Sequence, residues 1–193
     1  LDVFQKKAIS RNAEIKISKI PKNIFINSEG TQFTYKNQDY TIPLFGSHQA
    51  RNAALAIDVV NQFDPKIKYD IIYKSLGRVF WPGRMQKIGQ RIFYDVSHNE
   101  KGMEKTLQAL KELYPGKDIY GLLCLKKDKE LTSLKSLIVQ NFKTLLISED
   151  QMGLLLKSSI LEKRLDGINI KCNPVSSIKN GSEILKNLVK NNS

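Results

Sequence analysis

The chain has 193 residues, 41% of them hydrophobic and 26% charged, an ordinary composition for one large globular domain or one domain plus part of another. No apolar run reaches the about 18 residues that a membrane-spanning helix needs. The opening Leu1-Asp2-Val3-Phe4 has neither an initiator Met nor the basic-then-apolar layout of a signal peptide, so a fragment of a longer cytoplasmic protein is expected. The formal charge of +12 is the outlying property, but its Lys and Arg residues are scattered rather than blocked. That pattern favours a Lys-rich solvated surface over a nucleic-acid interface.

Residues 2–12 read as a short helix, and Ile15, Ile17 and Ile20 alternate with polar residues up to Pro21, which predicts a strand. Residues 24–26 form the next strand, with turn chemistry in Asn27-Ser28-Glu29-Gly30. Residues 32–35 and 40–44 flank Lys36-Asn37-Gln38-Asp39 as a hairpin, so the opening third is a small antiparallel meander that buries little by itself. An Ala-rich helix is expected over 46–62, with Ala53, Ala56, Ile57 and Val60 on one face. His48, Gln49 and Asn52 fall near its start, where they serve either as cap and surface amides or as contacts to a polar ligand. Asp64-Pro65 begins a further helix that ends at Leu76-Gly77, and residues 77–83 read as a hinge between domains.

Beyond the hinge, strand and helix alternate. Strands are expected at 91–96, 119–125, 144–148 and 168–172, and helices at 100–114, from 131, at 151–163 and at 176–190. This alternation predicts an α/β fold with a mainly parallel sheet covered by helices. Ligands of such sheets sit beyond the carboxyl ends of the strands, the place that Asp95-Val96-Ser97-His98-Asn99 occupies in this reading.

Several chemistries have no motif here. The chain contains no Gly-x-Gly-x-x-Gly, no Gly-x-x-x-x-Gly-Lys-Ser/Thr, no His-Glu-x-x-His and no Gly-x-Ser-x-Gly. Its two histidines are 50 residues apart, and no Cys or further His has ligand spacing, so no metal site is expected. Cys124 and Cys172 read as reduced, mostly buried thiols.

What remains is Trp81-Pro82-Gly83-Arg84, eleven residues ahead of the Asp95 segment. Pro82 and Gly83 fix the backbone before Arg84, which is either a placed cation or a surface arginine in a turn. Asp95 ends an apolar strand, and it either caps the next helix or accepts hydrogen bonds from vicinal ribose hydroxyls. A guanidinium and a carboxylate near a helix N-terminus suit a phosphate-bearing ligand with a sugar hydroxyl beside the phosphate.

Three motifs, Gly46-Ser47-His48-Gln49-Ala50-Arg51-Asn52-Ala53, Trp81-Pro82-Gly83-Arg84 and Asp95-Val96-Ser97-His98-Asn99, occur here in this order and spacing. Together they resemble folylpolyglutamate synthase/dihydrofolate synthase, of the Mur-type ATP-dependent amide ligase superfamily. Asp128-Lys129-Glu130 resembles the Asp-Lys-Asp of that family with Glu in third place. The resemblance spans nearly the whole chain and is dense from 46 to 130.

The resemblance implies that residues 1–80 are the C-terminal part of a central ATPase domain and that residues 81–193 are a Rossmann-like Mur-ligase C-terminal domain. It implies a ligase that uses ATP and magnesium to activate a folate or pteroate carboxylate as an acyl phosphate, which the amine of glutamate then attacks. By the same resemblance Asn52 faces the adenine, Arg84 reaches the phosphates, Asp95 holds the ribose and His98 lies near the phosphates. Arg84 and His98 are thus the catalytic candidates, and the P-loop and magnesium ligands belong to a missing N-terminal lobe. Val96-Ser97 departs from the usual Gly-Ala, which leaves a divergent ligase with another acceptor as one alternative. A basic nucleic-acid-binding module is the other.

Overall fold

In a computed structural model, residues 2–129 and 131–191 are described, and they divide into two compact units. One runs to Pro43 and resumes over Ser47–Val79; the other comprises Leu44–Gly46 and the chain from Phe80 onward.

The first unit opens with helix α1 (Asp2–Ser10) and a three-stranded antiparallel meander, β1 (Lys22–Asn27), β2 (Gly30–Tyr35) and β3 (Gln38–Ile42). The β2–β3 turn is only Lys36-Asn37, both at positive φ (50° and 61°), because Tyr35 pairs directly with Gln38. That is the backbone a two-residue hairpin of right-handed twist requires. Alternation along β2 and β3 sends Phe33, Tyr35, Tyr40 and Ile42 inward. These side chains close a core with Ala50, Ala53, Ala54 and Ile57 of α2 (Ser47–Phe63). Small residues on that face let the helix approach the sheet closely. The Tyr35 hydroxyl donates to Asp58 Oδ2 at 2.6 Å, and the Lys36 ammonium lies 2.7 Å from Oδ1, pinning α2 to the hairpin.

Two expectations fail in this unit. Residues 15–20 form no strand, and Ile17 and Ile20 are about 70% exposed, since alternation without a partner strand does not make a ladder. The third helix, α3, is shorter than expected (Tyr69–Leu76). Asp64 Oδ1 accepts the Lys66 amide and holds residues 64–66 in a turn, while the Tyr69 hydroxyl donates to the Asp39 carbonyl.

The second unit is built on a three-stranded parallel sheet, β6 (Ile119–Leu123), β7 (Phe142–Ile147) and β8 (Lys171–Pro174), in the order β6-β7-β8. Its helices are α4 (Glu100–Leu113), α5 (Thr132–Asn141), α6 (Ser158–Leu165) and α7 (Ile178–Asn191). On one face, Leu123, Leu145 and Ile147 join Met103 and Leu107 of α4, Leu134 and Ile138 of α5, and Leu161 and Leu165 of α6 in one apolar cluster. Leu122 and Leu146 are register partners, so they share the opposite face. There α7 lies close on β6: a Cβ at Gly181 would stand 2.8 Å from a methyl of Leu122. The α/β class with a parallel sheet between helices is therefore observed.

Three details of this unit differ from expectation. The strand expected at 91–96 is β5 (Ile92–Tyr94), which pairs antiparallel with β4 (Gln86–Gly89) in a separate hairpin, not with the parallel sheet. The helix expected over 151–163 begins only at Ser158. Asp150 accepts the amides of Leu154 and Leu155, Glu149 accepts that of Ser158, and the Leu156 amide donates to the Leu125 carbonyl. The last strand is displaced to Lys171–Pro174, since Ile168 and Ile170 pack against the apolar cluster. Cys124 and Cys172 are free and half-buried, and burial pushes both thiols up, toward the unreactive form.

Burial alone would push the Asp58 carboxyl up, but hydrogen bonds from Lys36, Tyr35 and Ser18 outweigh it and hold the group below the usual carboxylate range. A depressed native pKa contributes stability above the unfolded value, about pH 4, and loses it as pH falls through the folded value. Asp58→Asn is therefore expected to flatten the acid limb of the first unit's pH–stability curve, followed by thermal melting from pH 6 to pH 2. In the second unit, Leu134 is fully buried in the cluster. Leu134→Ala is expected to cost about 2–5 kcal/mol in urea unfolding.

Candidate nucleotide-binding loops

The turn that carries Arg84 is folded onto the segment that leads into α4. The Val96 amide donates to the Gly83 carbonyl (2.8 Å), and the Met85 amide donates to Asp95 Oδ2 (2.8 Å). The other oxygen of that carboxylate, Oδ1, accepts the Ser97 amide at 2.7 Å. Gln86 Oε1 accepts the Gly83 amide (3.1 Å), and the Arg84 amide donates to the Trp81 carbonyl (3.3 Å). Arg84 and Asp95 thus come together within one unit.

The backbone explains why these residue types stand here. Gly83 has φ +71°, and a Cβ there would lie 2.5 Å from Val96 Cγ1, so both conformation and space demand glycine. Met85 follows at φ +44° with its side chain buried. A left-handed backbone costs a residue with a Cβ about 1–2 kcal/mol, and here the Asp95 hydrogen bond and the buried thioether hold it. Between these two positions the Arg84 side chain is exposed, and it makes no hydrogen bond or ion pair among the described residues.

Of the two readings of Asp95, the capping one is not what is observed. It does not cap α4: Asn99 does, its Oδ1 accepting the Gly102 amide at 2.8 Å. Nor is it a carboxylate free of protein partners, since each oxygen already accepts one backbone amide and keeps one lone pair for a ligand. His98 is exposed, with Nδ1 3.1 Å from the Val96 carbonyl. A carbonyl only accepts, so Nδ1 carries the proton and Nε2 faces away from that bond. The first-turn amides of Glu100 and Lys101 have no intrahelical acceptor, as at any helix start.

Asn52 lies in the first unit, on the exposed side of α2, and its amide donates to Gln49 Oε1 at 3.1 Å. Of Asp128-Lys129-Glu130, Glu130 lies outside the described residues, and the Lys129 ammonium sits 3.0 Å from its neighbour Asp128. No group of three or more His, Cys, Asp or Glu side chains among the described residues is arranged to hold a metal. No helix among them is long and apolar enough to cross a membrane. Met85 and Gln86 went unrecognised in the sequence, since nothing in a Met-Gln pair signals a left-handed backbone or an amide acceptor.

The folylpolyglutamate synthase of Lacticaseibacillus casei is 30% identical over 128 residues, covering 60% of this chain and 29% of that protein. The Mycobacterium tuberculosis folylpolyglutamate synthase, solved in complex with ADP and AMPPCP, superposes on 98% of this chain and 46% of its own with a TM-score of 0.85 at 18% identity. The chain is similar to folylpolyglutamate synthases over part of their length. The dihydrofolate synthase/folylpolyglutamate synthase of Bacillus subtilis is a further match, 29% identical over 111 residues, which is 52% of this chain and 26% of that one. The chain spans about half the length of the solved structures it matches and under a third of the curated proteins. No family model matches it.

The Gly83–Val96 contact gives a two-part expectation. Gly83→Ala is expected to broaden or shift the amide resonances of 83–85 and 95–97. Adding Val96→Ala is expected to recover part of that order in the same spectrum, since it removes the clash but not the left-handed backbone cost.

Proposed function

We propose that this chain is the nucleotide-gripping part of an ATP-dependent ligase that adds glutamate to a folate or pteroate carboxylate through an acyl phosphate. The observation that carries the reading is the tie between the Arg84 turn and Asp95, in a chain similar to folylpolyglutamate synthases, one of them solved with ADP and AMPPCP. In this reading residues 1–80 close the ATPase domain and residues 81–193 form the C-terminal domain. The P-loop and magnesium ligands are assigned to the other lobe.

The residues present fit a nucleotide. Arg84 is an exposed cation on a turn tied to the segment that leads into α4, whose first-turn amides have no intrahelical acceptor, and that combination suits phosphate oxygens. The remaining lone pairs of Asp95 suit ribose hydroxyls. His98 can donate from Nε2 to a phosphate when protonated, and Asn52 is assigned to the adenine. ATP supplies the phosphoryl group that activates the carboxylate. The work of this chain is to bind and orient that group and to neutralise charge as it transfers, which is most of what phosphoryl transfer asks of a protein. Covering the site also shields an acyl phosphate from water. The nucleic-acid alternative has only the net charge of +12 behind it.

The test is an AMPPCP titration of the isotope-labelled chain. Shifts are expected at Arg84, Asp95, Ser97 and His98 and not on α6. Arg84→Ala is expected to weaken binding by tenfold or more, the loss of about 1.5–3 kcal/mol for a charge-assisted hydrogen bond. Unmoved resonances at 95–99 at several millimolar nucleotide would count against the reading. No ATP turnover is expected from the chain alone.

A further inference from the structure

We infer that Asp95 is a positioning residue for Arg84: by accepting the Met85 and Ser97 amides, its carboxylate sets where the turn delivers the guanidinium before any ligand arrives. The inference rests on the nucleotide-binding reading for its functional meaning, but its geometry stands without it.

Arg84 sits between two left-handed residues, Gly83 and Met85. A turn of that shape has alternatives, since Met85 relaxes readily to a negative φ and would carry Arg84 with it. Three hydrogen bonds oppose this. Two act at Gly83, whose amide donates to Gln86 Oε1 and whose carbonyl accepts the Val96 amide. One acts on the Met85 side, from Asp95 Oδ2, and it is the hydrogen bond recorded for the Met85 amide. The other oxygen of the same carboxylate, on Ser97, fixes the acceptor itself, so its aim at Met85 is set by the backbone that also starts α4. Only a carboxylate offers acceptor oxygens in both directions; an amide side chain has one oxygen and a donor where the second is needed. Asp95 therefore has a reason to be aspartate that is independent of a ribose. Its two lone pairs left over allow both roles at once.

The roles separate by experiment. In the nucleotide-free chain, Asp95→Ala is expected to speed hydrogen exchange at the Met85 and Ser97 amides about tenfold. The Arg84 backbone order parameter is expected to fall from about 0.85 to below about 0.6, with amides of α6 and α2 unchanged. Asp95→Asn, which keeps one acceptor, is expected to protect one of the two amides, and it decides the question if the alanine variant fails to fold. Protected amides and an ordered Arg84 in the variants would overturn the inference. In the bound state, Asp95→Ala is expected to weaken both ADP and 2′,3′-dideoxy-ADP, ADP by the larger factor because its ribose contact goes too, and the dideoxy-ADP loss is expected nearly to vanish once Arg84→Ala is present. A loss confined to ADP would identify a ribose ligand only and overturn positioning. A wild-type chain that binds neither nucleotide refutes the proposed function, while the exchange data still decide whether Asp95 holds the turn.

Discussion

One carboxylate holds together the loop junction that carries the candidate site. Asp95 stands where β5 ends and the lead-in to α4 begins, and its two oxygens take up backbone amides on either side, Met85 from the arginine turn and Ser97 from the approach to the helix. Remove the acceptor and two amides of a partly buried loop junction lose their partners, while a methionine is left in a backbone region it does not favour. Glycine at 83, valine at 96 and the buried thioether of Met85 all make sense as parts of the same junction.

The rest of the second unit supplies the rigidity this junction needs. Phe93 of β5 meets Phe45 edge to face at 5.3 Å and also approaches Tyr114 at the end of α4. Arg91 at the hairpin tip donates to the Val189 carbonyl in the last turn of α7. The β4–β5 hairpin is thereby fastened at two points to helices of the parallel sheet, although it shares no ladder with that sheet. A two-stranded hairpin is marginal by itself; here aromatic packing and a helix C-terminus hold it, and with it the two loops it joins.

The first unit shows the same economy in a different material. A ladder of rings, Phe33 on Tyr40, Tyr40 against Tyr69, and Tyr69 beside Tyr73, joins the meander to α3. Asp58 joins the meander to α2 through a tyrosine hydroxyl and a lysine. The Tyr40–Tyr69 and Tyr35–Asp58 ties run from a strand to a helix distant in sequence, and together with the alanine face of α2 they turn a meander into a packed unit.

Much of this was legible in the residues themselves. Period-two and period-3.6 patterns located β2, β3, α2, α4, α5, β6 and β7, because those elements bury one face or both, and burial is what writes a pattern into a sequence. The same patterns misled at Ile15, Ile17 and Ile20, where alternation met no partner strand. They misled again at 151–157, where the side chains of Glu149 and Asp150 took amides that a helix would have used. The order and spacing of three motifs pointed to a family, and Pro82-Gly83 marked the turn that carries Arg84. What chain order could not contain was the contact itself. The pairing of β5 with β4, the left-handed backbone at Met85 and the two amides on Asp95 depend on hydrogen bonds whose donors are backbone groups, identical in every residue type but proline. Side-chain identity determined which elements form and which face they bury; only the folded chain decided which amide the carboxylate would hold, because a backbone donor leaves no mark in the sequence.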